Sequence, residues 1–149
     1  MGELHECNEI YIPILHSSHF ILPQILIDKR VVEVWDSLAL PDRPIFQKNL
    51  IVDILRALDM GFKEQLKSKP ADYNFVSFKV VRGKNVPRQP NNFDCGVFVI
   101  LFMIKHCQFH SSTFQFNSNK ERCRIAWWIA KSDYNKIKTE LLEKVQSFI

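Results

Sequence analysis

The sequence predicts an α+β fold, a mixed or antiparallel sheet packed by helices, on three observations. Runs of Ile, Leu, Val and aromatic residues fill the first third, an amphipathic helical pattern follows, and the most apolar stretch begins at Asp94-Cys95-Gly96. The resulting order of strands, helix, strand and helices suits segregated α+β layers. At 149 residues, 46% of them hydrophobic, the chain can build one compact core, and residues 1–149 are read as a single domain.

The strands come first. Glu9 to Leu15 (EIYIPIL), Phe20 to Asp28 (FILPQILID) and Val31 to Trp35 (VVEVW) are rich in strand formers. The short Asp28-Lys29-Arg30 segment between the last two predicts an antiparallel hairpin. Pro23 lies inside the second run. Because proline cannot donate to a sheet ladder, it predicts an edge position or a bulge there.

Pro41 and Pro44 then break the chain. Ile51, Ile54, Leu55, Leu58 and Phe62 recur at helical spacing, with Asp53, Arg56, Asp59 and Lys63 pointing elsewhere, so this segment is a helix lying on a core. Phe75 to Arg82 (FVSFKVVR) reads as a further strand, and Gly83 to Phe93 (GKNVPRQPNNF) as a loop dense in Pro and Asn. Val97 to Ile104 (VFVILFMI) is apolar nearly all round, as a helix buried on most sides must be. A short helical piece is expected near Trp127 and Trp128. A last helix is expected from Ser132 onward, with Tyr134, Ile137, Leu141, Val145 and Phe148 on one stripe.

Composition narrows the function classes. The formal charge of +4 is mild, and the Lys and Arg residues are scattered rather than gathered into an arm, which argues against nucleic acid as a partner. No run reaches the roughly 18 apolar residues of a membrane span. Met1 to Glu9 carries Glu3, Glu6 and Glu9 and lacks the pattern of a secretion signal. Four widely spaced cysteines without a CxxC pair read as reduced thiols of an intracellular protein. His106 and His110, flanking Cys107, share a helix face and could in principle hold zinc. No second ligand pair sits at a usual spacing, so the expectation is no metal.

Cys95 is the candidate nucleophile. A thiol that attacks an amide must be largely thiolate, and the unpaired N–H groups and positive dipole end of a helix N-terminus favour that form. Asp94 suits the N-cap. Gly96 removes bulk where a substrate backbone would approach. The Gln89 side-chain amide could join the Cys95 N–H as an oxyanion hole. Taken singly, each has a plainer reading: a packed small residue, a cap, a polar loop residue. Together, Gln89, Asn91, Asp94, Cys95, Gly96, Val97 and Phe98 stand at the spacing of a known nucleophile motif. The string resembles that of the SUMO-protease family, the ubiquitin-like-protein-specific cysteine peptidases with a papain-like core.

A second string carries the same resemblance. The family has a general-base His followed by an aromatic at the head of a strand, then an aromatic-Asp-Ser-Leu string whose Asp orients the His. Here His19-Phe20 leads one strand and Trp35-Asp36-Ser37-Leu38 closes the next. Ends of adjacent antiparallel strands can bring His19 and Asp36 into hydrogen-bond reach. His16 is the rival base, second because no aromatic follows it.

The resemblance implies catalytic His19, Asp36, Cys95 and Gln89, with Phe20, Asn91 and Gly96 on the substrate side. It implies a thiol peptidase that cleaves SUMO or a related modifier after its C-terminal glycine, with no cofactor, acting as a monomer in the nucleus or cytoplasm. Phe20 replaces the family's usual Trp, which helps cover the substrate's Gly-Gly tail. The resemblance further implies that these residues correspond to the C-terminal three quarters of a family domain, whose remainder packs helices on the core and forms one wall of the substrate groove. The alternatives are a non-catalytic modifier-binding relic and acetyl transfer on the same core.

Overall fold

The computed structural model describes residues 7–38, 48–65, 74–105 and 115–147, in two compact units, Met1–Ser112 and Thr113–Ile149. The first unit holds a five-stranded sheet, and the second a pair of helices.

The strand β3 (His19–Leu26) organises the sheet. It pairs antiparallel with β1 (Glu9–Tyr11), β2 (Ile14–His16) and β4 (Val31–Trp35), and β4 in turn pairs parallel with β5 (Lys79–Arg82). A parallel neighbour requires a crossover, and α1 (Lys48–Gln65) lies between β4 and β5 in the chain. The β3–β4 hairpin turns through Asp28-Lys29-Arg30 as expected, with Arg30 at φ 52°. A tighter hairpin joins β2 to β3. Ser17 and Ser18 both have positive φ, 49° and 62°, which a two-residue type I′ turn demands. That turn delivers His19 to the head of β3.

Two strand expectations need correction. Glu9 to Leu15 is not one strand, and Pro23 sits at neither an edge nor a bulge. Tyr11 faces Gln24 and Ile14 faces Ile21, so the register runs through Ile12 and Pro13 with nothing inserted. Ile12 N–H donates to the Pro23 carbonyl at 3.0 Å; the reciprocal bond is the one a proline cannot make. The ladder loses a rung and β1 separates from β2, while β3 remains internal. Phe75 to Arg82 also divides, because Phe75–Ser77 forms a 3₁₀ turn before β5. The cause is Asp59 of α1, whose buried carboxylate accepts from Phe75 N (2.8 Å) and Val76 N (3.1 Å) and takes those amides out of the strand.

Alternation along β3 and β4 sends side chains to both faces. On one face Ile21, Ile25, Val32 and Val34 meet Ile51 and Leu55 of α1 together with Phe75 and Phe78. Burying each large apolar side chain contributes about 1.5–3 kcal/mol. On the other face Leu22 and Trp35, cross-strand partners, face α2 (Cys95–Lys105). Trp35 packs on Phe102 with ring centroids 5.3 Å apart, and Phe98 is wholly buried beside it. The predicted all-round apolar helix is therefore the second layer over the sheet, and it starts at Cys95.

In the second unit, α3 (Ser118–Lys131) is a full helix rather than a short piece, started by Asn117, whose side chain accepts from Lys120 N at 3.0 Å. The last helix, α4 (Lys138–Gln146), begins six residues later than expected from Ser132. Ser132 O accepts from Asn135 N and Asn135 O from Lys138 N, so successive turns occupy the interval. Tyr134 and Ile137 are consequently outside the helix and exposed. Pro41, Pro44, His106, Cys107, His110 and Phe148 lie outside the described residues. Among the described residues no helix is long and apolar enough to cross a membrane, and no cluster of His, Cys, Asp and Glu could hold a metal ion.

Candidate active site

Three segments of the first unit converge: the head of β3, the end of β4 with the residues after it, and the loop that enters α2. Asp36 follows directly on β4, and its Oδ1 lies 2.7 Å from His19 Nε2. The same oxygen accepts from Leu38 N at 2.9 Å, which pins the carboxylate before the imidazole reaches it. Both side chains are more than four-fifths buried, at 18% and 17% exposed. With Nε2–H donating to the carboxylate, the tautomer is set and Nδ1 is the basic nitrogen. His19 Nδ1 is buried and has no hydrogen-bond partner. His16, the rival, is exposed at the other side of the tight hairpin.

Cys95 is the first residue of α2 and is 5% exposed. Its neighbour Gly96 touches the residue after His19: a methyl placed on Gly96 would lie 3.4 Å from Phe20 Cδ2 and 3.6 Å from Cε2. The residue following His19 thus packs on the residue following Cys95. Phe20 roofs the helix N-terminus with an apolar ring.

The loop entering α2 is held by its own polar side chains. Asn91 Oδ1 accepts from Phe93 N and Asp94 N, both at 3.0 Å, and Asn91 Nδ2 donates to Asp94 Oδ2 at 2.7 Å. The Asn91 side chain is engaged within the loop at both of its polar atoms. Asp94 is fully buried, and its carbonyl accepts from Phe98 N at 2.9 Å, the first turn of α2. Gln89, also buried, donates from Nε2 to the Asn91 carbonyl. An amide nitrogen has two hydrogens, so one such bond leaves a second to offer.

Sequence reasoning named Ser37 only as part of a string. In the structure its carbonyl accepts from Gln89 N at 3.0 Å and its hydroxyl donates to Gln89 Oε1 at 2.5 Å. Nothing else in the sequence marks Ser37, because its burial and its partner 52 residues away are visible only in the fold. Chemically, the cluster offers a base whose far nitrogen is tied to a carboxylate, a thiol at a helix N-terminus, and an amide donor upstream of it. These are the parts of nucleophilic acyl transfer.

The family model for the Ulp1 protease family, C-terminal catalytic domain, matches residues 2–145. The chain belongs to the Ulp1 protease family. No curated protein matches it in sequence. Among solved structures, it is similar to the SUMO protease Ulp1 with its catalytic cysteine oxidised to a sulfinic acid, at 22% identity and a TM-score of 0.61, over 95% of this chain and 57% of that one. It is also similar to the Chaetomium thermophilum Ulp1-like SUMO protease catalytic domain, at 25% identity and a TM-score of 0.55, over 83% and 46%. A third is the C-terminal Ulp1 protease domain in complex with Smt3, the yeast ortholog of SUMO, at 22% and 0.51, over 83% and 51%. The chain spans about half the length of these Ulp1-family chains.

Proposed function

We propose that this chain is a cysteine-type peptidase or isopeptidase that cuts SUMO or a related ubiquitin-like modifier after its C-terminal glycine. The observation that carries the reading is His19. Its Nε2 is held by Asp36, its Nδ1 is unpartnered, and Phe20 beside it rests on Gly96 next to the thiol.

In the proposed cycle, His19 Nδ1 takes the Cys95 proton and Asp36 steadies the imidazolium. The thiolate adds to the carbonyl of the modifier's terminal glycine. The resulting oxyanion is met by Cys95 N–H and the second hydrogen of Gln89 Nε2. Collapse breaks the C–N bond, His19 returns the proton to the leaving amine, and a thioester remains. Water, deprotonated by His19, then releases the modifier's carboxylate and restores the thiol. Gly96 keeps side-chain bulk away from the position next to Cys95, which suits the approach of a substrate tail of glycines to the thiol. The Smt3 complex of a Ulp1 domain supports a modifier of this class as the partner. The free thiols Cys7, Cys95 and Cys123 fit an intracellular, nuclear or cytoplasmic, setting.

A panel of ubiquitin-like modifiers, each carrying a fluorogenic amide on its terminal glycine, tests the reading. Release from a SUMO-type modifier that disappears in Cys95→Ala is expected. Absence of release from every member, or release that survives Cys95→Ala, contradicts it.

A further inference from the structure

Ser37 is fully buried, at 1% exposed, and binds Gln89 twice: backbone carbonyl to Gln89 N–H, and hydroxyl to Gln89 Oε1. The second contact, together with the Asn91 carbonyl, decides how Gln89 is used. An amide side chain can flip about its last torsion and exchange oxygen for nitrogen at nearly the same positions. The Asn91 carbonyl can only accept, so it takes one hydrogen of Nε2, and the Ser37 hydroxyl then donates to Oε1 and anchors the opposite end of the amide. The remaining hydrogen is then presented in a fixed direction. An oxyanion donor needs such preorganisation, because an amide that must rotate at the moment of reaction forfeits part of its stabilisation.

We infer that Ser37 is a positioning residue of the oxyanion hole, acting through Gln89 and not on the substrate. The inference rests on the proposed peptidase reading. It makes the dipeptide Asp36-Ser37 serve both halves of the chemistry. The Asp36 carboxylate holds the base, and one residue later the Ser37 hydroxyl holds the oxyanion donor. A one-residue displacement of the chain after β4 would therefore disturb base and donor together.

A double-mutant cycle on the whole chain tests it, with the Gln89 side-chain amide followed by ¹⁵N NMR in the unliganded protein. Gln89→Ala should lower kcat by about 10²–10³-fold. Ser37→Ala should lower kcat about tenfold or more with KM nearly unchanged, and the double variant should be no worse than Gln89→Ala alone, because Ser37 has nothing left to orient. Ser37→Cys, of similar volume and a weaker donor, should fall between the parent and Ser37→Ala, and it serves as the variant if Ser37→Ala does not fold. In both Ser37 variants the Gln89 NH₂ signals should move and lose their order. Additive losses in the cycle, an effect confined to KM, or an unchanged Gln89 NH₂ would each overturn the inference. A parent chain without turnover would defeat the peptidase reading alone, and the NMR comparison would still decide the role of Ser37.

Discussion

The ring of Phe20 lies against Gly96, close enough that an added methyl would meet Cδ2 at 3.4 Å, an ordinary contact distance. The protein itself thus has room for alanine at this position. Ala also favours helix over Gly by up to about 1 kcal/mol in a helix interior, less in the first turn. Gly96→Ala should leave the melting temperature unchanged or slightly raised and lower kcat/KM by tenfold or more. The loss comes from bulk added one residue from Cys95, where a substrate backbone is proposed to approach the thiol. Thermal melts alongside peptidase assays check the split, and parallel loss of stability and activity would refute it.

Asp36→Asn tests the orientation of the base. The substitution keeps shape but removes the charge that steadies the imidazolium, and its amide can offer Nδ2 where His19 Nε2–H needs an acceptor. A fall in kcat of about 10²–10⁴-fold is expected, the range seen when a His loses its orienting carboxylate. Steady-state kinetics on a modifier fluorogenic amide measure it. A change within threefold would mean that the 2.7 Å contact does not serve turnover.

The Ser17-Ser18 turn stores local strain, because both residues sit at positive φ without being Gly or Asn. Replacing them by Asn-Gly, which suits a type I′ turn, should stabilise the protein by about 0.5–1 kcal/mol per relieved position. Chemical denaturation reads this directly. A destabilised double variant would show that the turn is not of this kind.

Much of the candidate site was legible because the proposed chemistry depends on residue identity at short spacing. Gln89, Asp94, Cys95 and Gly96 occupy one loop, and His19-Phe20 and Trp35-Asp36 mark the ends of strands that apolar alternation already revealed. What stayed hidden depends on partners far apart in the chain. Ser37 and Gln89 are 52 residues apart, and a serine after an aspartate is equally a plain turn former. The bonds of the Asn91 side chain to Phe93 and Asp94 were hidden as well, because the motif marks Asn91 only as a residue of the substrate side. The 3₁₀ turn at Phe75 was invisible for the same reason: FVSFKVVR is a good strand by propensity, and a carboxylate 16 residues upstream overrides it.

That override gives a stability prediction. Asp59→Ala removes the acceptor of the buried Phe75 N–H, at about 1–3 kcal/mol, while water can replace it at the more exposed Val76. Asp59→Asn retains one oxygen and should cost less. Hydrogen exchange at Phe75 and Val76 should quicken in both variants, most in Asp59→Ala. Unchanged exchange would show that the carboxylate does not hold the turn.

The central claim is that Cys95 is a nucleophile activated by His19. The most direct measurement is covalent capture by a SUMO-type modifier bearing an electrophile in place of its terminal carboxylate, with the adduct located by peptide mass spectrometry. The account predicts a single adduct on Cys95, absent in Cys95→Ala and formed at least tenfold more slowly in His19→Ala. An adduct on Cys7 or Cys123 instead, or a Cys95 rate indifferent to His19, would contradict it.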